Sequence, residues 1–428
     1  MFRFPLAGLI AAGALALSSC AGTPPVQTSQ GVAGAAAQAA LPDRVILISI
    51  DGFRPDYLGK GQTPVLDGLV AGGASGPMRP SFPSVTFPNH STLVTGLHPD
   101  HHGVVGNRFT DAQLGVFTMA SKESGFWDQG EPIWVTAEKA GVRTGTMFWP
   151  GSEVEIHGVR PSQWAPFDQG MPGDARVDRL LSWLDLPADQ RPRLETLYFD
   201  IVDTTGHRNG PDAPETRAAA ASVDASIGRL IAGLKARGLY DRTLLVVVSD
   251  HGMAATSPDR VVWIDDIIDP AALKIGYGGA VLTADPAPGR EAEVQQKLVG
   301  RHPHMECWNK ADVPARLVYG SNPRVGRIVC LVETGWLTAT RDRPVTRAGG
   351  AHGYDNQAPE MAAIFIAHGP GVIAGRRLSD LDSVDVQPFL ARMLGISAPA
   401  GDGRAEDTLA VTRPGSAADW RAGDFSAQ

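Results

Sequence analysis

Four short stretches bring carboxylates and imidazoles together: Asp51-Gly52, Asp203-Thr204-Thr205-Gly206-His207, Asp250-His251-Gly252 and Gly350-Ala351-His352-Gly353. Mixed carboxylate and imidazole donors suit zinc and its neighbours better than magnesium or calcium, which prefer oxygen. Asp51, Asp203, His207, Asp250, His251 and His352 suffice for two metal sites with three protein ligands each. A shared nucleophile and a substrate can fill the open positions, as in two-metal hydrolases. A single aspartate after a strand is ordinarily a turn residue or a helix cap. Three of them, two followed by histidine within four residues, are hard to dismiss in that way.

A hydroxyl for such a centre lies in Ser81-Phe82-Pro83-Ser84-Val85-Thr86-Phe87-Pro88-Asn89-His90. Pro88 suits the first turn of a helix that continues through Ser91-Thr92-Leu93-Val94-Thr95. Thr86 then stands just ahead of the helix N-terminus, where free backbone N–H groups favour an anion. Taken alone, Thr86 reads as a simple N-cap. Its hydroxyl needs a base or a metal to become a nucleophile.

These residues have to be positioned by regular elements. Apolar, β-branched runs over 45–50, 197–202 and 244–249 end at Asp51, Asp203 and Asp250, and a further run over 363–367 follows the loop holding His352. Helical stretches intervene, such as 215–237, whose apolar residues recur at three and four. Continuous apolar strands alternating with helices predict an α/β fold, a mostly parallel central sheet with helices on both faces. Ligands in such sheets bind beyond the carboxyl ends of the strands. Residues 260–340 differ: short strands over 280–283, 305–308 and 328–332 surround a helix near 291–299, which reads as a small inserted α+β subdomain. The catalytic domain is expected over 42–400, with a C-terminal tail over 401–428.

The chain has 428 residues, 43% of them hydrophobic, enough for one large domain with a sizeable core. A net charge of -8 argues against coating nucleic acid, so no stable nucleic-acid complex is expected. Residues 1–19 read as a signal peptide, with Arg3 ahead of an apolar stretch over 6–17 that is too short to span a bilayer. It ends in Leu17-Ser18-Ser19-Cys20, which resembles a bacterial lipoprotein site with Cys20 lipidated. The alternative is an ordinary secretory leader with an incidental cysteine. Residues 20–41 read as a flexible tether. The expected location is periplasmic, with a lipid anchor in the outer membrane as the only membrane contact. Cys307 and Cys330 remain as an even pair in an oxidising compartment, either a disulfide or two buried thiols.

Taken in order, Asp51-Gly52-Phe53-Arg54, Thr86 to His90, Trp149-Pro150-Gly151-Ser152-Glu153, Asp203 to His207, Ser249 to Met253 and His352-Gly353-Tyr354 resemble the nucleotide pyrophosphatase/phosphodiesterase family of the alkaline phosphatase superfamily, in a bacterial form. The resemblance spans about residues 43–398. It implies one zinc held by Asp51, Asp250 and His251 and a second by Asp203, His207 and His352. Thr86 bridges them as the nucleophile, and Asn107 contacts the substrate phosphate. Phe87 stacks a nucleobase, with Trp164 or Phe167 opposite. Nucleotides or nucleotide-like diesters are the implied substrates, cleaved through a phosphothreonine to release nucleoside 5′-monophosphate. The chain departs from many eukaryotic members in carrying Val85, not lysine, before the nucleophile.

Two divalent ions against three aspartates and a Thr86 alkoxide leave a cluster near neutral, which favours a singly charged diester over a dianionic monoester. The alternatives are a phosphomonoesterase or a lipid-headgroup phosphodiesterase of the same superfamily and, outside enzymes, a silent surface binding protein. His90 is expected to pack or cap within its helix and Arg54 to anchor the first helix. His98, His101 and His102 read as loop groups, and His157, His302, His304 and His368 have no partner motif.

Overall fold

The computed structural model describes residues 41–412. The leader expected over 1–19, Cys20, the tether up to residue 40 and the chain beyond Thr412 lie outside the described residues.

The central sheet is built on β1 (Arg44–Ile50), β2 (Ala74–Arg79), β3 (Thr144–Met147), β4 (Gln163–Ala165), β5 (Leu194–Phe199), β6 (Thr243–Val248) and β7 (Ala363–His368). Their spatial order is β2-β7-β6-β1-β5-β3-β4, and two-residue strands at Arg376–Arg377 and Leu381–Asp382 pair with β2. The run from β6 to β4 is parallel, whereas β7 is antiparallel to both β6 and β2. Every residue of β1 and β6 is buried, as a sheet covered on both faces demands.

The helices used below are α1 (Pro64–Gly72), α2 (Thr86–Thr95), α3 (Gly173–Trp183), α4 (Ile201–Asn209), α5 (Pro214–Ala236) and α6 (Val386–Leu394). Val45, Leu47, Val246 and Val248 pack with α2 and α6 on one face. Ile46, Ile48, Ile50, Leu245 and Val247 pack with α1, α3 and α5 on the other. Helix α5 presents Val223, Ile227, Leu230 and Leu234 to that layer, a spacing of three and four. Because β1, β5 and β6 are parallel neighbours, their carboxyl ends deliver Asp51, Asp200 and Asp250 to one edge.

Three expectations need correction. The strand read over 197–202 ends at Phe199, and Asp203 lies in the first turn of α4. Ile201 is 41% exposed while Val202 is buried, so the β-branched pair serves a helix face; short apolar runs do not separate the two periods. Thr86 does not precede α2 but is its first residue, after Val85 in extended conformation. Pro88 sits two residues later, still where a missing N–H leaves no intrahelical bond unmade. The domain also runs past residue 400. Asp402 N–H donates to the Gly96 carbonyl at 2.8 Å, Ile373 N–H donates to the Val411 carbonyl at 2.9 Å, and Thr408 and Val411 are buried. Isolated buried residues leave no periodic pattern to read.

Between β6 and β7, strands Leu273–Tyr277, Val281–Pro286, Ile328–Val332, Met305–Asn309 and Gly300–His302 form an antiparallel sheet in that order. Val294 and Leu298, at helix Glu291–Lys297, pack in one core with Leu282, Cys307 and Cys330. Cys307 and Cys330 are directly paired on neighbouring strands and form a disulfide.

Candidate active site

Six of the predicted ligands form two trios, within each of which the donor atoms lie within 4.8 Å of one another. Asp51 leaves β1, and Asp250 and His251 leave β6. His251 Nε2 is 3.0 Å from Asp250 Oδ2 and 3.5 Å from Asp51 Oδ1. Asp203 and His207 sit one turn apart on α4, and so share a helix face. Asp203 Oδ1 lies 3.4 Å from His207 Nε2 and 3.5 Å from His352 Nε2, and the two imidazole nitrogens are 3.0 Å apart. The His251 and His352 rings stack at 3.6 Å between centroids, which joins the trios. Gly52 makes the close fit possible. It has φ +67°, and a Cβ there would meet Asp203 at 3.1 Å.

The surroundings prepare these side chains for cations. His207 Nδ1 lies 2.8 Å from the Gly350 carbonyl, His251 Nδ1 2.9 Å from the Gly252 carbonyl and His352 Nδ1 3.0 Å from the Ser84 carbonyl. A carbonyl only accepts, so each Nδ1 carries the proton and each Nε2 offers a lone pair to the centre. Asp51 Oδ1, Asp203 Oδ1 and Asp250 Oδ2 are buried with no hydrogen-bond partner among the described residues. Orphaned carboxylate oxygens facing imidazole lone pairs fit a metal better than they fit an empty interior.

The proton affinities show the same tension. Burial, helped by Asp250 and Asp203, pushes the Asp51 carboxyl well above its usual range. Burial acts likewise on Asp250, but His251 and His90 outweigh it and hold that carboxyl well below. Burial raises Asp203 despite His207 and His251 beside it. Burial would lower His251, but Asp250 reverses this, whereas burial with His251 and His207 nearby holds His352 well below. Neighbouring carboxylates driven in opposite directions are what a positive ion at their centre would relieve.

Thr86 Oγ1 stands 3.4 Å from His251 Nε2, with Thr86 9% exposed. Asn107 Oδ1 accepts the Phe87 N–H at 2.8 Å, which fixes its amide beside the first turn of α2, and Asn107 is not among the residues that line the cleft opening from Thr86. A cleft of about 540 Å³ opens from Asp51, Thr86 and Asp203, walled by Phe87, Trp127, Phe148, Phe167 and Tyr198. Phe87 rests against Phe117 at 5.9 Å and Trp127 at 6.0 Å.

Of the two aromatics expected opposite Phe87, Phe167 lines this cleft and Trp164 does not. Trp164 stands on β4, 38% exposed, with the Arg160 guanidinium 5.3 Å over its ring. Phe167 lies beyond the strand end, where the Glu153 carboxylate accepts its N–H at 3.1 Å. His98, His101 and His102 make bonds away from the ligands, to Ser81, Asp402 and Thr92 respectively. Arg54 pairs with Asp56 and donates to the Met253 carbonyl.

Sequence reasoning missed two supporting groups. Tyr198 donates its hydroxyl to Asp51 Oδ2 at 2.6 Å, yet in sequence it is only one aromatic in a buried strand. His90 bonds the Thr86 carbonyl within its helix as expected, but its Nδ1 is also 3.4 Å from Asp250 Oδ2 and its Nε2 2.9 Å from Ser49 Oγ. The i−4 placement explains the first contact; only the fold supplies the others.

Residues 45–355 match the family described as type I phosphodiesterase/nucleotide pyrophosphatase. An uncharacterized pyrophosphatase/phosphodiesterase of Schizosaccharomyces pombe is 39% identical over 395 residues, covering 86% of this chain and 80% of its own. A venom phosphodiesterase of Crotalus durissus collilineatus is 35% identical over 84% of this chain, which spans only 45% of that protein. Among solved structures, an inactive threonine-to-alanine variant of murine ectonucleotide pyrophosphatase/phosphodiesterase 5 in complex with AMP superposes with a TM-score of 0.83 at 33% identity, covering 87% of this chain and 100% of that one. The chain belongs to the type I phosphodiesterase and nucleotide pyrophosphatase family, hydrolases of phosphodiester and pyrophosphate bonds.

Proposed function

We propose that this protein cleaves nucleotides or nucleotide-like diesters through a phosphothreonine at Thr86 and releases nucleoside 5′-monophosphate, with two zinc ions as cofactors. One ion would be held by Asp51, Asp250 and His251, the other by Asp203, His207 and His352. The observation that carries the reading is the position of Thr86 Oγ1, beside His251 Nε2 and at the floor of an aromatic cleft. Bound in these trios, zinc would supply the charge that ionises the threonine hydroxyl and steadies the departing oxygen. The Thr86 oxygen attacks phosphorus, the Oγ1–P bond forms and the bond to the leaving group breaks. Water then displaces Thr86 from the opposite side. Asn107, oriented by the Phe87 N–H, offers its NH2 to a phosphate oxygen. Phe87 and Phe167 give a planar base two walls. The AMP found in the murine relative supports the nucleotide reading.

The test compares a nucleoside 5′-aryl phosphodiester with a base-free bis-aryl diester, an aryl phosphomonoester and an aryl phosphocholine. The nucleoside diester should have the highest kcat/KM, and chelation should abolish turnover until zinc is restored. A preference for phosphocholine or for the monoester, or full activity in metal-free protein, would overturn the reading. Export with a lipid anchor in the outer membrane, facing the periplasm, is proposed from the sequence around Cys20. Labelled fatty acid should enter the wild type and not Cys20→Ala; equal labelling would reject it.

A further inference from the structure

We propose that Arg176 is a positioning residue that clasps the loop carrying Phe167 and so sets the aromatic wall facing Phe87. This inference rests on the nucleotide reading above.

Phe167 has little to hold it. It is 45% exposed, lies outside regular structure, and touches only the Phe148 ring at 5.4 Å and the Tyr198 ring at 6.0 Å among the described aromatic contacts. A side chain of this kind loses conformational freedom when a ligand stacks on it, unless something has already ordered it. Arg176, from α3, is almost fully buried beneath that loop. Its Nε donates to the Met171 carbonyl at 2.9 Å, and its guanidinium reaches the Gln169 carbonyl at 3.5 Å, so it grips the loop just beyond Phe167. On the other side it donates to the Tyr198 carbonyl at 3.0 Å and pairs with Asp200 at 2.8 Å. The guanidinium carbon lies 5.1 Å from the Phe148 centroid and 6.0 Å from the Phe167 centroid. Gln169 closes the loop by donating to Asp200 Oδ2 at 3.2 Å.

One planar fork thus ties the loop, the end of β5 and the start of α4 together, beneath the ring it supports. Lysine has neither the reach in several directions nor the flat face that stacks on aromatics. The clasp predicts a specific kinetic signature, because Phe167 meets the base and not the phosphorus.

The experiment measures KM and kcat for a nucleoside 5′-(p-nitrophenyl phosphate) and for bis(p-nitrophenyl) phosphate in wild type, Arg176→Met, Arg176→Lys, Phe167→Leu and the Arg176→Met/Phe167→Leu double variant. Arg176→Met should raise KM for the nucleoside ester about tenfold, in the range expected for one lost base–aromatic stack. Its kcat, and both constants for the base-free diester, should stay within about twofold. Arg176→Lys should behave like Arg176→Met, and the double variant should be no worse than Phe167→Leu alone. Multiplying effects in the double variant would overturn the clasp. So would an equal loss on both substrates with weakened zinc binding, which would mean that Arg176 acts through Asp200 and α4. If Arg176→Met does not fold, Arg176→Lys with Phe167→Leu completes the same cycle. A wild type that does not favour the nucleoside ester over the base-free one refutes the nucleotide reading and the clasp with it. A wild type that favours it while Arg176→Met retains the same preference refutes the clasp alone.

Discussion

Tyr198→Phe removes one oxygen atom from the interior and tests how far the fold prepares the metal trios. The Tyr198 hydroxyl donates to Asp51 Oδ2 at 2.6 Å, both groups buried. Phenylalanine fills the same space and leaves that oxygen without its donor. A hydrogen bond to a charged acceptor is worth about 1.5–3 kcal/mol, which is roughly 10- to 150-fold in an equilibrium constant. Supporting partners of metal ligands are typically worth about 10- to 100-fold in affinity. With zinc as the proposed ion, binding at the Asp51, Asp250 and His251 trio should therefore weaken by about 10- to 100-fold. The Asp203, His207 and His352 trio has no bond to Tyr198 and should keep its affinity. The effect should depend on pH in a set direction. Burial raises the proton affinity of Asp51 and Tyr198 opposes it, so the variant holds that proton more tightly. Zinc has to displace it, so the gap between variant and wild type should widen as pH falls and narrow as pH rises. Competition against a chromophoric chelator, with the two zinc equivalents resolved, reads this directly. Equal affinities at the first site across the neutral range, or equal weakening at both sites, would refute the reasoning.

Thr86→Ser should keep measurable activity, Thr86→Ala should lose several orders of magnitude, and a chiral phosphorothioate diester should be hydrolysed with net retention; net inversion would exclude Thr86 as the nucleophile. Glu195 is fully buried 3.4 Å from Arg44, and burial, against the pull of Arg44, raises its carboxyl to about 8. The folded chain therefore keeps a proton that the unfolded chain has lost, and stability should fall as pH rises from the ordinary carboxyl range to about 8, by up to about 1.4 kcal/mol per unit. Glu195→Gln should remove that slope in denaturant titrations, and parallel curves for variant and wild type would refute it. Cys307→Ser opens a 23-residue link within the five-stranded sheet, which should lower stability by about 3 kcal/mol and leave activity at low temperature intact; an unchanged melting temperature would count against it.

Much of this site was legible because its signals are local. Asp51 and Asp250-His251 each follow a continuous apolar run, and such runs have few readings other than a buried parallel strand. Asp203 and His207 read as a pair in sequence, but the helix that carries them does not, because Ile201-Val202 fits the strand period as well and the helix face shows only through Val202 and Gly206. Phe167 and Trp164 are not separable in sequence, since which of them lines the cleft depends on the course of the chain beyond β4, where the Phe167 N–H meets Glu153, fourteen residues upstream. The bonds of Tyr198 to Asp51 and of His90 to Asp250 and Ser49 join segments far apart in sequence, and Arg176 bonds to loop and strand-end carbonyls, so none of these roles leaves a mark on a strand or helix pattern.

The surroundings of the cleft bear on the charge of the substrate. Among the described residues that line it, Lys122 is the one basic side chain, and its ammonium is 3.0 Å from Glu153 Oε2. Arg176 stands behind the wall and is neutralised by Asp200. Asp51, Asp200 and Asp203 also border the space. Among the described residues no unpaired cation lines the cleft, and two divalent ions in the trios would be nearly balanced by Asp51, Asp203, Asp250 and an ionised Thr86. A phosphate with one negative charge meets no net repulsion there. A dianion meets carboxylates without a guanidinium clamp of the kind that usually offsets its second charge. On the proposed reading the apolar walls would then decide what binds, through area on the leaving or retained group and not through charge. The ligands thus sit on strand ends and one helix face, while the wall of the cleft draws on α2 through Phe87, on β5 through Tyr198 and on the loop that carries Phe167, beneath which Arg176 is buried.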